Sequence, residues 1–287
     1  MNQNKNTPNK QEVLPKMERK IDEKKRNQPL IKIVITLLTL IVLILIGIPF
    51  SKYFLIATHT QETKTIIHNK MPGIIPKTEK IEAPNLATLM GQAPQADNQK
   101  ISGENAYAIG QVVIPTVSIN QPIFIGLTNE NLVHGTVDLF PNRQPDKNTL
   151  TIIGHHVFYY GGYQLLFGGI QNLKKEEPVY VRYFNQYYEY KVSSNVIIKE
   201  TDVDKLVDIG PDYLYLMTCN QTLKTPYRVL ITAKKVSVNE MKLKETFQES
   251  SKVLTNKSQK NYLIWFIMPI IILIFIISIF LFYVWKI

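Results

Sequence analysis

The sequence predicts a mainly β protein, a closed barrel with short helices, flanked by two transmembrane helices. Apolar, β-rich runs with short connections recur from Tyr107 to Val236. Closing such strands into a barrel removes exposed edges. Ile33 to Phe50 carries no charge, and Tyr262 to Trp285 is a longer apolar run, each long enough to cross a bilayer.

Residues 1–29 are rich in Asn, Gln, Lys and Pro and are expected as a disordered basic tail. They hold eight Lys/Arg against four acids, and a positive flank stays cytoplasmic. Residues 30–50 form the first span. No A-x-A cleavage site follows closely, which favours a retained anchor over a removed signal. The second span, 262–285, contains Pro269, which bends a helix without forbidding insertion, and Trp265, Tyr283 and Trp285 suit interfacial depth. Two spans place both termini in the cytoplasm and everything between outside the cell membrane.

Removing the tail, Lys32 and Lys286 from the total charge of +10 leaves +4 for the outer part, an ordinary excess. No segment has the pattern of a nucleic-acid module. Residues 51–106, with Pro72, Pro76, Pro84 and Pro94 among polar residues, read as an extracellular stalk with local helix through His68. His59 and His68 are expected to be solvated. Residues 107–237 are the barrel. Its strands are Ile109–Pro115, Ile119–Ile125, Leu150–Ile153, Pro178–Tyr183 and Gln186–Val192 as a hairpin, Val196–Lys199, Tyr213–Cys219 and Tyr227–Val236. A turn or short helix is expected at Asn129–Gly135, a short helix at Leu165–Leu173, and a helical or irregular crossover at Thr201–Asp212. Residues 238–261, polar and Lys-rich, read as a tether to the second span.

Cys219 is the only cysteine, so no internal disulfide forms. A lone cysteine is commonly a buried core residue. Cys219 instead closes an apolar strand and opens a polar loop, where reactive groups are displayed. A thiol needs a neighbouring base or cation to act as a nucleophile. Both types lie at strand ends: His155 and His156 after Leu150–Ile153, and Arg228 near the start of the strand after the loop. The set suits acyl transfer, with Cys219 attacking a carbonyl, His155 moving protons and Arg228 supplying donors to an oxyanion. No triad acid is evident.

Ile-Gly-His155 after a strand, Leu-Met-Thr218-Cys219 about sixty residues later and Arg228 on the next strand resemble the histidine, TLxTC signature and arginine of the sortases. The resemblance runs from about Ala108 to Val236 and includes the NLxxG turn at Asn131–Gly135. Doubled histidines followed by Val157-Phe158, and Leu166-Phe167, look most like class A, the housekeeping group. The resemblance implies an eight-stranded sortase-type barrel outside a Gram-positive cell. It also implies a thiol transpeptidase that cleaves an LPxTG-type signal between Thr and Gly. The acyl group would pass to the amine of a lipid-linked peptidoglycan precursor, anchoring surface proteins to the cell wall.

By family position His155 is the catalytic histidine, with Cys219 and Arg228. Thr218 and His156 are assigned to substrate binding. Tyr215 replaces the signature threonine, a change expected to affect strand packing. Ile114, Val117, Ile119, Ile197 and Leu216 are candidates for a groove around the substrate leucine and proline, or for core. No cofactor is expected. Asp138 and Asp146 read as solvated loop residues, and His134 as a loop residue, which leaves no calcium or zinc site.

The carboxyl-terminal span is more usual in pilus-building class C enzymes, which is the alternative reading. The stalk, however, lacks an Asp-Pro-aromatic lid motif. An L,D-transpeptidase would place arginine at or one residue after the position following the cysteine, where Asn220 and Gln221 stand. A papain-like enzyme reverses the order of cysteine and histidine. A non-enzymatic wall-binding or sensor domain fits the topology but makes the three reactive residues coincidental.

Overall fold

A computed structural model of the chain describes residues 10–62, 66–82, 107–158, 164–222 and 225–286. It divides into two compact units, residues 1–50 with 267–287 and residues 51–266.

In the first unit, helix α1 (Lys10–Glu62) begins well before the apolar run. The segment expected as a disordered tail is therefore helical from Lys10, consistent with its Lys, Glu, Gln and Met content. Gln28–Ile48, and the helical stretch ending at Lys286, are long and apolar enough to cross a membrane. Their apolar side chains are exposed, as in Leu38, Leu45, Ile274 and Phe275. Lys32 Nζ donates to the carbonyl of Trp285 at 3.4 Å.

The second unit is built on strands β1 (Ala108–Ile114), β2 (Ile119–Ile125), β3 (Thr136–Asp138), β4 (Leu150–Gly154), β7 (Pro178–Tyr183), β8 (Gln186–Lys199), β9 (Tyr213–Cys219) and β10 (Tyr227–Val236). They close into one barrel in the order β1-β2-β3-β4-β9-β10-β8-β7. Strands β5 (His156–Phe158) and β6 (Gln164–Leu166) form a separate hairpin. Alternation sorts the side chains. Ile109, Ile123, Leu150, Ile152, Val181, Leu214, Leu216, Val229 and Ile231 fill the interior. Their strand neighbours face out.

Several expectations change. The Leu165–Leu173 stretch is the end of β6 followed by a 3-10 turn, Gly168–Asn172, so it is not one helix. Val196–Lys199 is the continuation of β8 rather than a separate strand. Helix α2 (Asn129–His134) is as expected, with its Thr128 cap accepting from Asn131 N, but His134 is buried rather than looped out.

The segment read as a tether is helix α3 (Glu240–Tyr262), docked on the barrel. Phe247 and Leu254 pack with Val113, Tyr180 and Tyr187. Asn120 Nδ2 donates to Thr255 Oγ1 at 3.0 Å. A π-helical turn, Leu263–Ile267, leads into helix α4 (Met268–Lys286). Pro269 has no N–H to bond the carbonyl four residues back, and a widened turn there relieves the ring clash.

Part of the expected stalk also docks. Ile67 forms a parallel bridge to Ala108, and His68 stacks on Tyr107 at 3.8 Å between ring centroids, so His68 is not freely solvated. Glu79 N donates to the carbonyl of Leu127 at 2.9 Å. The His59 side chain and residues 83–106 lie outside the described residues.

Candidate active site

Strands β4, β9 and β10 are neighbours, and their registers bring the reactive residues to one rim. The β4/β9 pairing is parallel, from Leu150 opposite Leu214 to Ile153 opposite Met217. The pairing ends there; His155 follows Gly154, the last residue of β4, and Cys219 is the last residue of β9. On the other side Cys219 is paired with Arg228. With adjacent strands about 4.8 Å apart, thiol and guanidinium occupy neighbouring strands, and the imidazole lies one residue past the end of the strand on the other side.

They also share a face. Leu214 and Leu216 point into the barrel, so Tyr215, Met217 and Cys219 point out. Tyr215 is buried there with Ile198, Leu206 and Leu230, and Leu139, Phe140 and Met217 pack against them. The result is a buried apolar lane on the outer wall, on the face of β9 that also carries Cys219. Its cover is the Thr201–Asp212 crossover, where Val203–Leu206 forms a 3-10 turn. Of the residues read as groove or core, most are core. Ile114, Ile119 and Leu216 are interior core and Val117 packs against that core, because they have the opposite strand parity or lie at the far wall. Ile197 is exposed on β8.

Cys219 is half-buried and its thiol is free of disulfide. Burial pushes its pKa up, the Arg228 cation opposes this, and Glu200 pushes it further up. His155 is buried, and among the described residues its Nε2 has no hydrogen-bond partner. Burial, then the positive charge of Lys52, lower its pKa to about 4. Thiol and imidazole therefore both rest neutral near pH 7.

His156 lies in a different setting. Its Nδ1 is 2.9 Å from the carbonyl of Cys219, which can only accept, so Nδ1 carries the proton. Burial lowers the pKa of this ring and the bond raises it. Thr218 points inward, buried, and its Oγ1 donates to the carbonyl of Gly154 at 2.7 Å. The Thr218 hydroxyl proton is therefore committed within the fold. Thr218 and His156 staple the ends of β4 and β9 together and fix where His155 and Cys219 stand. Gly154 admits this packing because a Cβ there would lie 2.7 Å from Cβ of Phe167.

Arg228 donates through Nη1 to the carbonyls of Thr225 (2.7 Å) and Tyr227 (3.0 Å) and through Nη2 to Glu200 Oε2 (2.6 Å). Sequence reasoning missed Glu200 and the lane residues Tyr215 and Met217. The alternation of β9 could have given the last two, but nothing local pairs Glu200 with an arginine twenty-eight positions later.

The acids read as solvated divide. Asp146 is exposed, accepting from Tyr188 OH at 2.9 Å. Asp138 is buried, contrary to expectation, because β3 turns it into the barrel, where it accepts from Tyr183 OH at 2.8 Å and Phe140 N at 3.1 Å. Burial raises its pKa to about 6 against those two bonds and Arg143. Among the described residues no group of three or more His, Cys, Asp or Glu side chains is placed to hold a metal ion.

The closed eight-stranded barrel carries a half-buried thiol paired across neighbouring strands with a guanidinium. The Sortase domain model matches residues 112–236. Sortase A of Listeria monocytogenes is 25% identical over 234 residues, covering 79% of this chain and 96% of the relative. The putative sortase YwpE of Bacillus subtilis is 31% identical over 90 residues, 31% of this chain and 85% of the relative. The crystal structure of Listeria monocytogenes sortase A aligns with a TM-score of 0.42 at 26% identity, over 45% of this chain and 88% of that one. The chain belongs to the sortase family of cysteine transpeptidases.

Proposed function

We propose that this sortase is a class A enzyme that cleaves an LPxTG-type sorting signal between Thr and Gly and joins the surface protein to an amine of a lipid-linked cell-wall precursor. The observation that supports the site assignment is the adjacency of β4, β9 and β10, with Cys219 paired to Arg228 and His155 following the end of β4. The class A reading rests on the sortase A relatives and the doubled histidine.

In the first half-reaction the Sγ of Cys219 attacks the threonyl carbonyl carbon and its proton passes to His155. Arg228 donates to the carbonyl oxygen as it gains charge. The C–N bond breaks, and His155 returns the proton to the departing glycine amine, leaving a thioester on Cys219. In the second half-reaction the incoming amine attacks the thioester carbonyl and gives a proton to His155. The C–S bond then breaks and sulfur recovers the proton. The lane of Tyr215, Met217, Leu206 and Leu230 suits the leucine and proline of the signal. The Thr218 backbone and the buried His156 edge define the site's inner wall. The reaction needs no cofactor and no metal.

The two helices of membrane-spanning length support an anchored enzyme with residues 107–237 outside the cell and both termini in the cytoplasm. The test is joining of an LPxTG peptide to an amine by the full chain in detergent. C219A should abolish it, and R228A should lower the rate by about 10²-fold or more. Wild-type rates for C219A would refute the assignment.

A further inference from the structure

Arg228 is held by a carboxylate from a different strand. Glu200 follows the end of β8, and its backbone N donates to the carbonyl of Pro226 at 2.8 Å, which fixes the acid beside the start of β10. Its Oε2 lies 2.6 Å from Nη2 of Arg228. A guanidinium has five N–H donors. Three are committed here, two to the carbonyls of Thr225 and Tyr227 and one to Glu200, which among the described residues leaves the Nε–H and one Nη2–H. The Glu200 side chain is 50% exposed. An ion pair this open adds little to stability, so holding the fold together is a poor account of it. A rigid fork is better explained by what its remaining donors must meet.

We propose that Glu200 is a positioning residue for the transpeptidation, holding the Arg228 guanidinium so that its two uncommitted N–H groups face the carbonyl attacked by Cys219. The inference rests on the roles assigned above to Arg228 and Cys219. The same carboxylate acts on the thiol, pushing its pKa up where Arg228 pushes it down. Glu200 therefore keeps the cation aimed while moderating its effect on the resting sulfur.

The experiment uses the full chain in detergent and the variants E200Q, E200A, R228A and E200A/R228A. Two readouts are taken: kcat and KM for joining an LPxTG peptide to an amine, and the pH profile of Cys219 alkylation by iodoacetamide. E200A should lower kcat about tenfold with KM within about twofold, and E200Q should fall between E200A and wild type. Both should move the alkylation profile to lower pH, a change that a merely structural role would not produce. The double variant should be no slower than R228A. Wild-type kcat in both Glu200 variants beside an impaired R228A overturns this inference alone. So does an unmoved alkylation profile or a double variant slower than R228A. A wild-type rate in R228A overturns the assignment of Arg228 and this inference together.

Discussion

At the scale of single residues, environment separates two adjacent histidines that sequence alone presents as a pair. Among the described residues His155 Nε2 has no hydrogen-bond partner, whereas His156 donates its Nδ1–H to the Cys219 carbonyl. H155A should lower kcat by about 10²-fold or more, as loss of a general acid–base does, and H156A should lose less. The reverse order in a joining assay would exchange their roles. Because the thiol pKa is raised, alkylation of wild-type Cys219 should climb with its midpoint above the ordinary thiol range. Asp138 titrates at the other end of the scale. Its raised pKa means the native state binds a proton that the unfolded chain has released. The resulting stabilisation is fully present below about pH 4 and is lost as pH rises through about 6. The change is on the order of 3 kcal/mol. Equilibrium unfolding of D138N should lose that slope between pH 4 and pH 7, and an unchanged slope would exclude Asp138 as its source.

At the scale of elements, β9 and β10 were legible because each is an uninterrupted β-rich run bounded by polar turns. His155, Cys219 and Arg228 were visible for the same reason: each sits at a strand end. The three-residue β3 was not, since Thr136–Asp138 is too short to show alternation, and missing it also concealed the burial of Asp138. The docking of α3 was hidden in a different way. Its buried Leu243, Phe247 and Leu254 do fall on one helical face, but numerous Lys residues around them gave the segment the composition of a tether. F247A removes a ring that packs edge-on to Tyr187, with centroids 5.2 Å apart. It should cost about 3 kcal/mol or more in thermal or denaturant unfolding. A change below about 0.5 kcal/mol would mean that α3 is not seated on the barrel. The Arg228–Glu200 pair lay beyond sequence reading altogether, because it is the antiparallel pairing of β8 with β10 that brings the end of β8 to the start of β10.

At the scale of the whole molecule, the barrel provides strands whose register pairs Cys219 with Arg228, and His155 follows the strand on the other side of Cys219. The flanking helices supply length and hydropathy for anchorage. Impermeant thiol labelling in a C219S background tests the proposed topology. Single cysteines placed at Lys5 and Lys286 should label only after cells are opened, and labelling of either in intact cells would contradict it. The central claim is that Cys219, flanked by His155 and Arg228, takes an acyl group from a sorting signal. Intact-mass spectrometry of the full chain after mixing with an LPxTG peptide tests it most directly. The account predicts an adduct of the LPxT acyl mass, located on Cys219, released by hydroxylamine and missing from C219A. Cleavage of the peptide by C219A, or an adduct on any other residue, would contradict it.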